Sequence, residues 1–492
     1  MIDNKKVVTR IAPSPSGRFL HLGNLRTLLY NYLLAKKHGG KFLVRLEDTD
    51  RDRYTPEFLD HFKDVCDWLG IVPDHSYWNP DPNVGSFIQS ERDYSDKVKY
   101  LLNHGFAYYA FDTKEELDAL RERGLKYDST TRMSMNNSFT NPSTDSMLQS
   151  GMPYVIRFAV KPDEVITFED EVLGSISINT NTLDDKVLIK SNGVGSYHLC
   201  NVCDDHDMGV THVLRGNEWV PSTPFHIVLY RAFGWDVPTF AHLPLIMNPD
   251  GKGKLSKRTA NKYGIPISPI GYVDSDGKYN PGWRDLGYDP ESLMNALVLV
   301  GWNPGENLEL MSMDEMINLF SIDRVNKSGA RFDMDKAKWI NAQHLRNTKN
   351  DDLFKYVEIK DDRYSMLKLN MIMDLSKERS EFKRDLNNTF KLFYDIDVLS
   401  VNKVDDNFNS LFSKLIEGDL IDFTDNDTIK GSILSGCVDL GIKIGKVMPS
   451  LRNALVSGIS GPDLMTTMFI LGKDESYKRI LNFMEKNLEK VL

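Results

Sequence analysis

The chain opens on a short apolar run, Lys6-Val7-Val8-Thr9-Arg10-Ile11-Ala12. It reads as a buried strand ended by Pro13 and Pro15, because proline cannot donate to a sheet ladder. After a turn at Ser16-Gly17, apolar positions at Leu25, Leu28, Leu29, Tyr32, Leu33 and Ala35 keep helical spacing until Gly39-Gly40, a C-terminal stop signal. Phe42-Leu43-Val44-Arg45-Leu46 predicts the next strand. This strand–loop–helix–strand order predicts a parallel sheet of nucleotide-binding type, with sites at the carboxyl ends of its strands.

Residues 94–195 mix short helical and strand patterns around a polar run, Asp128 to Ser150, which reads as an insertion carrying a mobile loop. Parallel-sheet character returns at Val187-Leu188-Ile189 and at Thr211-His212-Val213-Leu214, so the insertion splits the sheet. Beyond about residue 340 strand signals fade, and helical spacing continues to a last helix with Ile480, Leu481, Met484, Leu488 and Val491. No repeat of roughly 20–50 residues is visible, which sets aside solenoids. The predicted fold class is α/β, a Rossmann-like parallel-sheet domain split by an insertion and followed by an all-helical C-terminal part. The expected divisions are 1–93 with 196–245, then 94–195, 246–345 and 346–492.

A length of 492 residues corresponds to about three domains of ordinary size. With 41% hydrophobic and 26% charged residues, wholesale disorder is excluded. The net charge of -10 argues against binding nucleic acid through bulk charge, though not against a local basic surface. Cys66, Cys200, Cys203 and Cys437 are too few and scattered for a disulfide framework, which points to a reducing compartment. No apolar run approaches the roughly 18 residues of a membrane span. Met1-Ile2-Asp3-Asn4-Lys5-Lys6 lacks a signal-peptide core, and the first loaded motif begins by Arg10. The expectation is therefore a cytoplasmic protein with no cleaved leader.

Arg10-Ile11-Ala12-Pro13-Ser14-Pro15-Ser16-Gly17 leads into His21-Leu22-Gly23-Asn24 and then a helix. A strand handing over to a helix N-terminus favours phosphate, since backbone N–H groups and the macrodipole offer partial positive charge. Gly23 would let a ligand approach the backbone, and His21 could donate to a phosphoryl oxygen. Alone, a His-x-Gly is ordinarily an incidental turn. Lys252-Gly253-Lys254-Leu255-Ser256-Lys257-Arg258 follows Asn248-Pro249-Asp250-Gly251, a turn-rich approach to an exposed loop. Four cations and a hydroxyl there suit a polyphosphate, although a lone basic cluster is more often a solvated turn.

Together, His-x-Gly at a strand–helix junction and Lys-Leu-Ser-Lys-Arg more than two hundred residues later resemble the paired signatures of class I aminoacyl-tRNA synthetases. Within that class the chain resembles the bacterial glutamyl-tRNA synthetases. Arg10-x-Ala12-Pro13-Ser14-Pro15-x-Gly17, Arg45-Leu46-Glu47-Asp48-Thr49-Asp50 and Tyr197-His198-Leu199-x-Asn201-Val202-x-Asp204-Asp205-His206 carry the likeness. So do His212-Val213-Leu214-Arg215-Gly216-Asn217-Glu218-Trp219, Leu229 to Trp235, and Leu299-Val300-Gly301-Trp302. The likeness is dense from residue 7 to about 345, thins, and returns in Gly445-Lys446-Val447 to Gly458.

The resemblance implies ATP-dependent ligation of L-glutamate to tRNA(Glu) through a glutamyl-adenylate, with Mg²⁺ accompanying ATP. It implies a monomer that binds neither DNA nor membrane. Residues 94–195 would then bind the acceptor end, 246–345 would touch the stem, and 346–492 would bind the anticodon. A diacid substrate needs guanidinium forks for its anions and an acid for its amine. Arg10 and Arg215 would supply the forks, Glu47 would accept from the α-ammonium, and Ser14, Tyr197 and Asn201 would add neutral hydrogen bonds. Ala12, His21, Gly23, Asn24, Glu218, Lys254, Leu255 and Lys257 would bind ATP. His21, Lys254, Ser256 and Lys257 would stabilise the transferring phosphorus and departing pyrophosphate. Arg379 and Arg452 lie at positions resembling those used near the anticodon, where Arg reads unpaired bases.

Cys200-Asn201-Val202-Cys203 has the spacing of a redox or zinc motif. We read both cysteines as buried apolar substitutes flanking Asn201, and Tyr108-Tyr109-Ala110-Phe111-Asp112, where some relatives carry a zinc knuckle, contains no cysteine. No structural zinc and no other metal site is expected. The chain departs from the family at Arg18-Phe19-Leu20, one residue longer than usual, at Ser16 in place of a frequent Thr, and in the long stretch Ala260 to Asp285. The rival readings are a glutaminyl-tRNA synthetase, whose C-terminal part resembles β-barrels, and a short paralogue without the helical third. A small-molecule nucleotidyltransferase and a noncatalytic RNA-binding relative complete the alternatives.

Overall fold

The computed structural model describes residues 6–305, 307–394, 405–458 and 461–488. They fall into two units, Met1–Ala337 and Lys338–Leu492. In the first, β1 (Val8–Ile11) passes through α1 (Leu22–Lys37) to β2 (Lys41–Val44), which lies parallel to it. The helix forms because Leu25, Leu28, Leu29, Leu33 and Leu34 recur at helical spacing and are all buried. After α2 (Glu57–Leu69), the short strand β3 (His75–Ser76) adds in parallel to β2.

The chain then leaves this sheet. Strands β4 (Ala107–Ala110), β5 (Val155–Phe158), β6 (Val165–Asp170), β7 (Gly174–Asn179) and β8 (Val187–Ile189) follow before the return at β9 (His212–Gly216) and β10 (Thr239–Leu243). Strands β9 and β10 are parallel in register from Thr239↔His212 to Leu243↔Gly216. β9 lies along the free side of β1, where Val8 N donates to Thr211 Oγ1 at 2.8 Å and Thr211 N to Val8 O at 3.0 Å. The spatial order is therefore β3-β2-β1-β9-β10. A ligand crevice forms where such an order reverses, between β1 and β9.

The insertion corrects two expectations. Val187–Ile189 is not parallel: β8 pairs antiparallel with β5, which pairs antiparallel with β4 in a separate sheet. A run of three β-branched and leucine residues is the same in either sheet type, so sequence could not choose. The hairpin β6–β7 rejoins the central sheet, because Asp170 of β6 pairs in parallel with Phe240 of β10. The polar run 128–150 is laced by local hydrogen bonds. Asp128 Oδ1 accepts from Thr130 N at 2.9 Å, and the fully buried Asn137 donates to Arg132 O at 2.7 Å.

In the second unit every regular element among the described residues is helical. Helices Met366–Arg379, Leu386–Tyr394, Asp406–Glu417, Asn426–Asp439, Ile444–Val456 and Leu464–Leu488 enclose one apolar core around Phe390, Phe408, Phe412, Leu451 and Met468. The last of these is broken at Gly472, whose φ of 78° no helix interior adopts. Ile480 and Met484 face the core as expected, while Leu481 is 40% exposed on the other face. Val491 and the side chain of Leu488 lie outside the described residues. No described helix is long and apolar enough to cross a membrane.

Candidate active site

The carboxyl ends of β1, β2 and β9 surround a cavity of about 540 Å³, a volume suited to a small ligand. Arg10, Ala12 and Ser14 enter it from the first strand and its loop, and His21, Gly23 and Asn24 from the start of α1. Glu47 follows β2, Arg215 ends β9, and Glu218 lies just after it. Tyr197 and Asn201 project from the helix Tyr197–Asp207, and Lys254 and Leu255 from the distant basic loop. The structure thus brings thirteen of the expected residues to one cavity. Ser256 and Lys257 are not among its walls. Arg379 and Arg452 belong to the second unit, where their Nη1 atoms donate to Gly461 O and Pro462 O, each at 2.9 Å.

His21 caps α1 with its ring. Its Nδ1 accepts from Gly23 N at 3.1 Å and from Asn24 N at 3.4 Å, so the proton of the neutral imidazole sits on Nε2. Burial, reinforced by Lys254 and opposed by Glu218, lowers its pKa below the usual 6.5, which favours that neutral form. This corrects the expectation of free helix amides. The N–H of Leu22 goes to Ile267 O at 2.9 Å, and those of Gly23 and Asn24 go to His21. The anion-attracting elements left at this end are the helix dipole and the Nε2–H donor. Gly23 makes room for the capping ring: a Cβ there would come within 3.0 Å of the His21 ring.

A buried charge network fixes the floor. Arg10 Nε and Nη2 donate to Asp205 Oδ1 and Oδ2 at 3.0 and 3.1 Å, and Arg45 Nη1 donates to Oδ1 at 2.7 Å. Arg45 Nη2 and Asn201 Nδ2 both donate to Glu47 Oε1, at 3.2 and 3.0 Å. Burial pushes the Asp205 carboxyl up, but Arg10 and Arg45 outweigh it and hold the group below its usual range. Asp204 is flanked by Arg92 Nε at 2.7 Å and Arg45 Nε at 3.6 Å, and there burial wins and its pKa rises. The motifs containing Arg45, Asp204 and Asp205 were legible, but their roles were not. A charged residue at a strand or helix end carries no sequence mark of being buried.

Arg215 differs from these arginines. Only 6% exposed, it forms no ion pair with a carboxylate among the described residues. Its Nη2 donates to Thr223 Oγ1 at 2.7 Å, its Nε to His242 Nε2 at 3.0 Å and its Nη1 to Tyr197 OH at 3.3 Å. His226 Nδ1 stands 3.4 Å from Nη1, and burial holds both His226 and His242 below the ordinary imidazole pKa. A buried cation ringed by neutral acceptors is an electrostatic vacancy for an anion. Behind it the ring of Tyr197, whose hydroxyl is pushed by burial up to about 12, packs on Trp219 at 4.6 Å. Gly216 lets Glu218 fold back beneath β9, since a Cβ there would collide with the carboxylate.

The basic loop reaches the cavity through Lys254, which bridges to Met247. Ser256 caps the short helix Lys257–Lys262, its hydroxyl accepting from Thr259 N at 3.3 Å. Lys257 Nζ lies 5.9 Å from the ring centre of Phe19 and 5.4 Å from that of Tyr272, and those rings stack at 3.9 Å. Two departures from the family pattern, the longer turn before His21 and the stretch 260–285, therefore meet under this lysine. Cys200 and Cys203 are buried; burial pushes the Cys200 thiol up to about 12 and that of Cys203 up as well, the state of an inert packing residue. Lys190, which lines the cavity and donates to Thr49 O at 3.1 Å, is a cation that no motif announced.

The family of class I tRNA synthetases for glutamate and glutamine, catalytic domain, matches residues 6–339, and an anticodon binding domain matches residues 341–484. The glutamate–tRNA ligase of Amoebophilus asiaticus is 41% identical over 501 residues, 97% of each chain. That of Cytophaga hutchinsonii is 41% identical over 502 residues, again 97% of each. A solved glutamate–tRNA ligase from Elizabethkingia meningosepticum, in complex with its amino acid, superposes with a TM-score of 0.86 at 41% identity, covering 98% of this chain and 99% of that one. With likeness running through both the sheet that builds the cavity and the helical second unit, the chain belongs to the glutamate–tRNA ligase family of class I aminoacyl-tRNA synthetases.

Proposed function

We propose that the chain ligates L-glutamate to tRNA(Glu) in two steps. In the first, an oxygen of the glutamate α-carboxylate attacks the α-phosphorus of ATP. The bond from that phosphorus to the bridging oxygen breaks, and pyrophosphate leaves. In the second, the 2′-hydroxyl of the terminal tRNA ribose attacks the acyl carbon of the adenylate, and AMP leaves. No protein nucleophile is required, so the protein's work is positioning and electrostatic stabilisation.

The observation that carries this reading is Arg215. Among the described residues its buried guanidinium has no carboxylate partner, and the cavity is also lined by His21 and Lys254. A substrate side-chain carboxylate supplies the missing charge, whereas glutamine offers only a neutral amide. Arg10 adds a second guanidinium, already half-neutralised by Asp205, and Glu47 can accept from the α-ammonium. Ser14, Tyr197 and Asn201 complete the amino acid pocket. His21 Nε2–H and Lys254 face the phosphates, with Ala12, Gly23, Asn24, Glu218 and Leu255 around the nucleotide. Lys257 acts when the basic loop closes, and Ser256 holds that loop by its cap.

Mg²⁺ enters with ATP. Among the described residues no three acidic, imidazole or thiol groups gather into a metal cage. Glu218 and Asp50 line the cavity, and one or two carboxylates beside phosphate oxygens are all that Mg²⁺ ordinarily requires. The ion would neutralise phosphate charge there. We assign residues 94–195 to the acceptor end, 246–345 to the stem and 346–492, with Arg379 and Arg452, to the anticodon. A cytoplasmic monomer fits this reading. The all-helical second unit and full-length likeness to glutamate enzymes disfavour a glutaminyl-tRNA synthetase. The test is charging of tRNA with labelled glutamate or glutamine. The reading expects a base-labile glutamyl ester with glutamate; equal charging with glutamine would overturn it.

A further inference from the structure

Asp170 and His242 stand outside the amino acid pocket, fully or almost fully buried, yet they connect to it by hydrogen bonds, His242 Nε2 meeting both Arg215 Nε and, at 3.1 Å, Thr223 Oγ1. Arg215 and His242 are register partners on adjacent parallel strands β9 and β10, and Asp170 ends the neighbouring β6. Arg215 Nε can only donate, so His242 Nε2, 3.0 Å away, must accept. The imidazole proton is then on Nδ1, which lies 2.6 Å from Asp170 Oδ2. Asp170 Oδ1 accepts from the backbone N–H of Val172 at 3.0 Å, of Leu173 at 2.9 Å and of His242 at 3.3 Å.

We propose that Asp170 and His242 are positioning residues that fix the guanidinium of Arg215 by dictating the tautomer of the imidazole between them. The inference rests on the reading of Arg215 as the partner of the substrate's side-chain carboxylate. A carboxylate placed directly against Arg215, as Asp205 is against Arg10, would neutralise the charge the substrate has to meet. An acid one imidazole away orients the fork without neutralising it, and the partners of the Nη atoms among the described residues, Tyr197 OH, His226 Nδ1, Thr223 Oγ1 and Trp219 O, are neutral. The carboxylate comes from the inserted segment, so the insertion and the amino acid pocket are joined through this line.

Asp170→Asn isolates the effect. The amide oxygen keeps the Oδ1 bonds to Val172 and Leu173, while the amide nitrogen faces His242 Nδ1 and drives its proton to Nε2. That N–H then opposes Arg215 Nε–H, donor against donor. Glutamate KM is expected to rise at least about tenfold, with ATP KM within about twofold of wild type. His242→Phe, which removes the acceptor while keeping an aromatic ring, is expected to give the same glutamate-selective loss. ¹⁵N spectra of histidine-labelled wild type, with His242 identified by its absence in His242→Phe, are expected to show protonated Nδ1 and bare Nε2. A wild-type Nε2–H tautomer overturns the proposal whether or not either variant folds. So does a folded Asp170→Asn enzyme with unchanged glutamate KM, provided Arg215→Ala in the same assay raises it. If Arg215→Ala also leaves glutamate KM unchanged, the carboxylate reading itself fails.

Discussion

Arg10 holds Asp205 across 195 residues of chain, with Nε 3.0 Å from Oδ1 and Nη2 3.1 Å from Oδ2. That pair is closed, while among the described residues Arg215 in the same cavity meets only neutral acceptors. The two guanidinium groups of this cavity are therefore unequal. Arg215→Ala is expected to lower kcat/KM for glutamate by about a hundredfold or more, the scale of losing a buried charge-assisted contact. ATP KM should stay within about twofold. Equal effects on both substrates in steady-state kinetics would remove Arg215 from the carboxylate role.

Asp205 also receives Arg45 Nη1 at 2.7 Å, so one carboxylate separates two buried cations. Asp205→Ala strips Arg10 of its carboxylate and leaves Arg45 with Glu47 at 3.2 Å and Asp204 at 3.6 Å. A loss of about 3–5 kcal/mol in unfolding free energy is expected from urea titration. A loss under about 1 kcal/mol would mean that water or Glu47 already compensates the pair.

Lys257 rests over the stacked rings of Phe19 and Tyr272, outside the cavity walls. Lys257→Ala is expected to slow adenylate formation by about 10–100-fold in single-turnover measurements, because a cation aimed at developing pyrophosphate charge is lost. Glutamate binding should remain within about twofold. Collapse of glutamate binding would place the loop against the amino acid and not the phosphates.

His61 links the turn before His21 to the stretch beyond the basic loop. Its Nδ1 accepts from Leu20 N at 3.4 Å, and its Nε2–H lies 3.2 Å from Ser268 Oγ. Burial lowers its pKa from 6.5 to about 4, and does the same to His198. An imidazole whose folded pKa lies below its unfolded value gives stability that is complete above about pH 6.5 and drains away as pH falls toward 4. Each should cost roughly 2 kcal/mol by pH 5 relative to pH 7. Thermal melts across this range should show a falling midpoint, with a flatter profile in His61→Gln. A midpoint that rises on acidification would contradict the assignment.

Much of the fold was legible because it rests on periodicity. Leu25, Leu28, Leu29 and Leu33 mark α1 by spacing alone, and the helical second unit follows from the same signal. What escaped were contacts made between distant segments. The single pairing of Asp170 with Phe240 that ties the insertion to the sheet has no periodic trace, and Val187–Ile189 reads alike in parallel and antiparallel surroundings. Within the site, thirteen residues that the family resemblance implied line the cavity, whereas Lys190 was not among them. It could not show that the His21 ring turns back onto the amides of Gly23 and Asn24, a matter of rotamer, nor that Asp205 balances both Arg10 and Arg45, which lie far along the chain from it.

Isotope exchange of pyrophosphate into ATP, with glutamate present and with or without tRNA, tests most directly whether this cavity activates a diacid. Exchange that requires glutamate, rises with tRNA, and falls by about a hundredfold or more in folded His21→Ala and Arg215→Ala enzymes is the predicted result. Exchange supported equally by glutamine, or none with glutamate and tRNA together, would contradict the account.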